Sequence, residues 1–194
     1  MRRLCVFCGS STGSRPEYRA AARRLGELLA GRGVGLVFGA GHIGLMGVLA
    51  DAVLRGGGEA VGVIPQALVD KELAHRGLSE LRVVGTMHQR KALMADLADA
   101  FAALAGGYGT AVETFEILTW AQLGLHTKPI GLLNVAGFFD PLLAWLDHCV
   151  REAFIRPEHR ALLQVSADPE ELLDMLARYR ALAETPKWIE EEDR

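Results

Sequence analysis

Short runs of consecutive apolar residues recur along this chain, separated by longer stretches in which apolar positions return every three or four residues. A continuous apolar run of four to eight residues reads as a strand buried on both faces, and the longer spacing as an amphipathic helix. Strands are expected at Arg3–Cys8, Gly35–Phe38, Ala60–Ile64, Arg82–Val84, Phe101–Leu104 and Ile130–Leu133. Helices are expected over 16–31, 44–56, 87–99, 111–124, 139–152 and 168–182. Regular alternation of the two predicts an α/β fold: a parallel sheet with right-handed crossovers and helices on both faces, three layers in all.

In such sheets ligands bind outside the carboxyl ends of the strands, where the strand order reverses. Glycine-rich turns follow three of the expected strands, at Gly9–Gly13, Gly39–Gly44 and Gly106–Gly109, so they should gather along that edge. The third turn is the most informative. Ala105-Gly-Gly-Tyr-Gly-Thr-Ala-Val-Glu113 joins a strand to a helix, and glycine there lets a ligand approach the backbone. The helix start offers unpaired N–H groups and the positive end of the dipole, which together suit a phosphate. Glu113 would follow in the first turn. Thr110-x-x-Glu113 also has the spacing of a capping box. On spacing alone the two readings stand level; the glycines upstream, which a capping box does not need, favour the cradle.

Thr86-x-x-Gln89 predicts another helix start, with Arg90 and Lys91 in or just past the first turn. Cations there oppose the macrodipole. Arg90 shares its stripe with Leu93, Met94 and Leu97, the side a helix buries, so its charge needs a partner, either a bound phosphate or an internal carboxylate. Gly39-Ala-Gly41-His-Ile-Gly44 matches the dinucleotide fingerprint in letters. The acid that should hold the ribose is misplaced, however, because Glu59 precedes its strand. A tight turn with close helix–strand contact is the simpler expectation. Walker A is excluded, since no Gly-Lys-Ser/Thr follows.

Composition narrows the picture further. At 194 residues the chain suits one domain, expected over 1–180, with the acidic end 181–194 expected to fray. A net charge of −3 gives no electrostatic reason for a nucleic-acid partner. No apolar run approaches the roughly 20 residues that span a membrane, and the apolar run after Arg2-Arg3 stops at Gly9, short for a signal peptide. A cytoplasmic location is therefore expected. Cys5, Cys8 and Cys149 are expected as plain buried thiols, for no second Cys/His pair matches Cys5-x-x-Cys8. The six histidines lack metal-ligand spacing and no Gly-x-Ser-x-Gly elbow occurs, so neither a metal nor serine hydrolase chemistry is expected.

With these residues in view, the chain resembles the LOG ("lonely guy") family of cytokinin-activating enzymes, once described as possible lysine decarboxylases. The resemblance runs to about residue 180. It rests on Cys8-Gly-Ser-Ser11, Gly44-Leu-Met-Gly47, Gly62-Val-Ile-Pro65, Met87-His-Gln-Arg-Lys91, Leu118-Thr-Trp-Ala-Gln-Leu-Gly124 and Lys128-Pro-Ile-Gly-Leu-Leu-Asn134. The family's Pro-Gly-Gly-x-Gly-Thr-x-x-Glu is matched by Ala105–Glu113 with alanine for proline. Ala40 and Val112 also depart from the family's usual glycine and second glutamate. The resemblance implies a Rossmann-like fold, a homodimer or higher oligomer, and no cofactor. It implies hydrolysis of the N-glycosidic bond of cytokinin riboside 5′-monophosphates, a class of purine nucleotide, to free base and ribose 5-phosphate. It further implies Arg90 and Glu113 as the catalytic pair, with Glu72, Lys91, Gly107, Tyr108, Gly109, Thr110 and Thr119 contacting the nucleotide.

Overall fold

A computed structural model describes residues 1–71 and 74–180. Glu72 and the 181–194 end lie outside the described residues. The strands are β1 (Arg3–Phe7), β2 (Gly35–Phe38), β3 (Ala60–Pro65), β4 (Glu80–Val84), β5 (Ala100–Ala103), β6 (Ile130–Leu133) and β7 (Leu163–Ser166). They form one seven-stranded sheet in the order β4-β3-β2-β1-β5-β6-β7, with every pairing parallel. The helices are α1 (Pro16–Gly31), α2 (Gly44–Arg55), the single turn α3 (Gln66–Val69), α4 (Met87–Leu97), α5 (Tyr108–Gln122), α6 (Asp140–Arg151), the single turn α7 (Pro157–Arg160) and α8 (Pro169–Arg178).

Side chains alternate across the sheet, and each face carries its own core. Leu4, Val6, Leu36, Phe38, Ala100 and Ala102 pack under α1, α2 and α8. Cys5, Phe7, Val37, Val63, Phe101 and Leu132 pack under α4, α5 and α6. This alternation also separates the two cysteines of Cys5-x-x-Cys8. Both are buried free thiols, but they belong to opposite cores and cannot share a metal or a disulfide. Cys149 is only partly buried.

Besides the single turns α3 and α7, which the spacing did not mark, an edge strand and a helix start depart from the expected pattern. Leu163–Ser166 adds an edge strand that the apolar pattern did not mark, because Gln164 and Ser166 interrupt it. Helix α5 begins at Tyr108, three residues earlier than expected, with Gly107 as its cap. The capping box at Thr110 therefore does not form: Thr110 already lies inside the helix, and Glu113 falls in the second turn, not the first. The box at Thr86 does form, with Gln89 N–H on Thr86 Oγ1 at 3.1 Å and Gln89 Oε1 accepting from Thr86 N–H at 3.1 Å.

The chain runs outward from β1 through β2 and β3 to β4, then returns to lay β5 on the other side of β1. The loops leaving β1 and β5 thus part at the switch point between those strands. That is where such a sheet opens a crevice.

Candidate active site

At this switch point lies a cleft of about 450 Å³, within the range of small-molecule sites. Its wall is built from the turn after β1 (Cys8, Gly9, Ser10), the turn after β2 (Gly39, Gly41), the start of α5 (Gly107 to Thr110), and Arg90 and Glu113. Ile43, Met46, Ile64 and Leu68 supply an apolar side.

Arg90 and Glu113 are each only 9% exposed. Arg90 lies one residue past the first turn of α4, on the helix face turned to the sheet, which carries its guanidinium under the end of β3. There Nε donates to Val63 O at 3.1 Å and Nη1 meets Glu113 Oε1 at 3.0 Å. The internal carboxylate that the burial of Arg90 demanded is Glu113. The third nitrogen, Nη2, occupies the space beside Gly39: a Cβ at that residue would stand 1.9 Å from it. The first glycine of the fingerprint-like run is there to admit the guanidinium.

The rest of that run is structural. Gly44 has φ +64°, and a Cβ on it would sit 2.2 Å from the Ser10 carbonyl carbon. The Leu45 N–H at the start of α2 donates to Gly9 O at 3.0 Å. Helix α2 therefore gives its leading donor to the β1 loop and not to an anion. Glu59 is held bidentately by Arg3 at the opposite end of the strands, far from any ribose in the cleft.

Helix α5 is open by comparison. No side chain caps it, and nothing lies within 4 Å of where a Cβ on Gly107 or Gly109 would be. Gly106 instead packs against Thr110, whose Oγ1 would meet a Cβ at 2.1 Å. Gly107 to Thr110 at the start of α5 line the cleft, and the first N–H groups of a helix lack partners within it and carry the positive end of its dipole.

Glu113 holds its proton more tightly than an ordinary glutamate. Burial penalises its anion by more than Arg90 and Lys91 stabilise it, and Glu116 adds to the rise. Beneath it, burial keeps the thiols of Cys5 and Cys8 protonated, and the neighbouring carboxylate adds to that.

Of the residues expected at the site, Arg90, Glu113, Gly107, Tyr108, Gly109 and Thr110 come together around the cleft. Lys91 and Thr119 are not among its lining residues. Lys91 Nζ is bonded to Glu116 Oε1 at 2.8 Å, and Thr119, exposed on α5, donates back to Phe115 O at 2.7 Å. Glu72 lies outside the described residues. Sequence reasoning passed over Gly39 as room for Arg90, and Ile43, Met46 and Leu68 as the apolar side. Met46 sits in the quoted Gly44–Gly47 motif; Leu68 carried no signal. Among the described residues no group of three or more His, Cys, Asp or Glu is placed to hold a metal ion, and no helix is long and apolar enough to cross a membrane.

Fold and site together define an α/β enzyme with a buried acid–guanidinium pair at the switch point of a parallel sheet. The chain belongs to the LOG family, whose model, described as "Possible lysine decarboxylase", matches residues 46–176. It is 53% identical over 178 residues to the "Probable cytokinin riboside 5′-monophosphate phosphoribohydrolase" of Oryza sativa subsp. japonica, covering 92% of this chain and 78% of that protein. It is 46% identical over 191 residues to a cytokinin riboside 5′-monophosphate phosphoribohydrolase of Arabidopsis thaliana, covering 96% and 90%. Among solved structures, the molybdenum cofactor binding protein of Rippkaea orientalis has the same fold, with TM-score 0.69 at 20% identity over 90% of this chain and 94% of that one.

Proposed function

We propose that this enzyme hydrolyses the N-glycosidic bond of cytokinin riboside 5′-monophosphates, releasing the free base and ribose 5-phosphate. The observation that carries the reading is the buried Arg90–Glu113 pair, 3.0 Å apart, beside the open start of α5. The 5′-phosphate takes the N–H groups of α5 around Gly107 to Gly109. This seats the ribose beside Glu113 and turns the base toward Ile43, Met46 and Leu68, where an alkyl group on N6 finds apolar contact.

As the C1′–N9 bond lengthens, positive charge grows on the ribose and negative charge on the base. Glu113 stabilises the ribosyl cation and orients the water that adds at C1′, taking its proton. Arg90 is a fixed multidentate donor for the developing negative charge or for the ribose hydroxyls. The base leaves as its protonated neutral form once a proton returns to the nitrogen. No step requires a redox group or a metal.

Decarboxylation of lysine would need a cleft lysine to anchor pyridoxal phosphate. Among the described residues, Lys91 is bonded to Glu116, Lys128 Nζ donates to Ala95 O at 2.8 Å, and neither these nor exposed Lys71 lines the cleft. We also propose a cytoplasmic homodimer, which the family resemblance implies; exposed Leu125, Trp145 and Phe154 are consistent with a covered surface.

The test is incubation with N6-isopentenyl-AMP and with AMP, quantifying base and ribose 5-phosphate by chromatography. Equimolar release of both products is expected, with the unphosphorylated riboside at least about 100-fold poorer in kcat/KM once the contacts to α5 are lost. Tight binding of either nucleotide with no base released by a folded sample rejects the reading and leaves a carrier or sensor.

A further inference from the structure

Three segments of chain build the apolar side of the cleft: the turn after β2 with Ile43, the start of α2 with Met46, and the β3–β4 connection with Leu68. Adjacent parallel strands are usually joined through a full helix. This connection, of which residues 66–71 and 74–79 are described, makes only the single turn α3, and no side chain caps it. His75 is where it meets the other two segments. The His75 N–H donates to Ala40 O at 2.8 Å, and beside it Ala74 pairs with Gly41 in an antiparallel bridge. Ala40 makes that bond at φ +61°, a left-handed backbone that alanine rarely adopts. The His75 ring is largely buried, with its side chain 13% exposed. Nδ1 accepts from Gly77 N–H at 3.1 Å, so Nε2 carries the proton and donates it to Asp51 Oδ1 at 3.0 Å. Asp51 belongs to α2, the helix that carries Met46. Met46 in turn lies on Gly41, where a Cβ would stand 2.7 Å from its methyl carbon.

We propose that His75, held by Asp51, is a positioning residue that sets how well the cleft accepts an alkyl group on N6. The proposal rests on the reading of the substrate as a purine nucleotide whose base lies against Ile43, Met46 and Leu68. His75 does not line the cleft itself. It ties together the three segments that do, and so fixes the spacing of side chains that no single element holds. Asp51 is half exposed, so loss of its contact with His75 should leave the fold intact. An alkyl group gains from the apolar area that the walls cover together. Loosened spacing therefore weakens N6-alkylated nucleotides and spares AMP, which places no carbon there. That asymmetry separates positioning from a general loss of structure.

The experiment compares kcat/KM for base release from N6-isopentenyl-AMP with that from AMP. The same preference is read again as a ratio of calorimetric Kd values in a Glu113→Gln background, which is expected to bind nucleotide without turning it over. His75→Ala and Asp51→Ala are each expected to cut the preference for the alkylated nucleotide about tenfold, equivalent to about 1.4 kcal/mol. The double variant should be no worse than either single one, because both remove the same bond. His75→Gln, whose amide is able to donate to Asp51, should restore most of the preference. An unchanged preference in both single variants overturns the proposal, and so does an equal loss for the two nucleotides. Failure of the underlying reading looks different. An unsubstituted enzyme that releases no base sinks the activity, while the Kd ratio still shows whether His75 shapes the apolar side. An unsubstituted enzyme with no preference between the two nucleotides overturns both.

Discussion

Replacing Gly39 with alanine perturbs the site without touching a charged group. The new Cβ would stand 1.9 Å from Arg90 Nη2 and 3.1 Å from Cζ. Ordinary contact begins near 3.4 Å, so the guanidinium must withdraw by about 1.5 Å. The backbone cannot yield instead: Phe38 is paired on both sides, to Val6 and Gly62, and buried Ala40 already sits at φ +61°. A shift of that size breaks both the 3.1 Å bond to Val63 O and the 3.0 Å contact with Glu113. A misplacement of about 1 Å costs roughly 100-fold in rate, equivalent to about 2.7 kcal/mol of barrier. The assay is kcat/KM for base release, with thermal unfolding to verify the fold. The same substitution in an Arg90→Ala background should cost almost nothing more, because the residue it crowds is gone. A folded Gly39→Ala enzyme keeping more than a third of its activity refutes the reasoning, and so does a full additional loss in the double variant.

Two further outcomes follow from the same geometry. Gly109→Ala puts a methyl group into open space at the cleft, so stability should hold or rise by up to about 1 kcal/mol from helix propensity, while KM for the nucleotide climbs about tenfold or more; unchanged KM would show that α5 does not seat the phosphate. His126 is held neutral: burial lowers its proton affinity, and with Nδ1 accepting from Lys128 N–H it donates through Nε2 to Ile117 O. The unfolded chain then binds the proton first, so stability is full above the ordinary histidine range near pH 6.5 and falls as pH drops through it. Unfolding curves at pH 7.5 and 5.5 should separate less in a His126→Gln variant, and an equal separation would exonerate His126.

The central strands and their helices were readable because burial on both faces makes strand runs continuously apolar, as in Val61–Ile64. Edge strand Leu163–Ser166 escaped because Gln164 and Ser166 break its apolar run, although Ser166 is buried with its hydroxyl bonded to Glu171. The burial of Arg90 was legible from its stripe, and the need for a partner followed from charge. The identity of that partner was not, since Glu113 comes from a helix whose true start is set by Gly107 and not by threonine. The role of Gly39 was hidden for a different reason. A glycine that admits a side chain from another element looks, in one dimension, like a glycine that admits a ligand.

Glu113→Gln keeps the shape of the side chain and removes its charge. Binding of N6-isopentenyl-AMP, measured calorimetrically, should stay within severalfold of the unsubstituted enzyme, while base release falls by about a thousandfold or more. Base release at near-normal rate from that variant would contradict the claim that this carboxylate carries the chemistry.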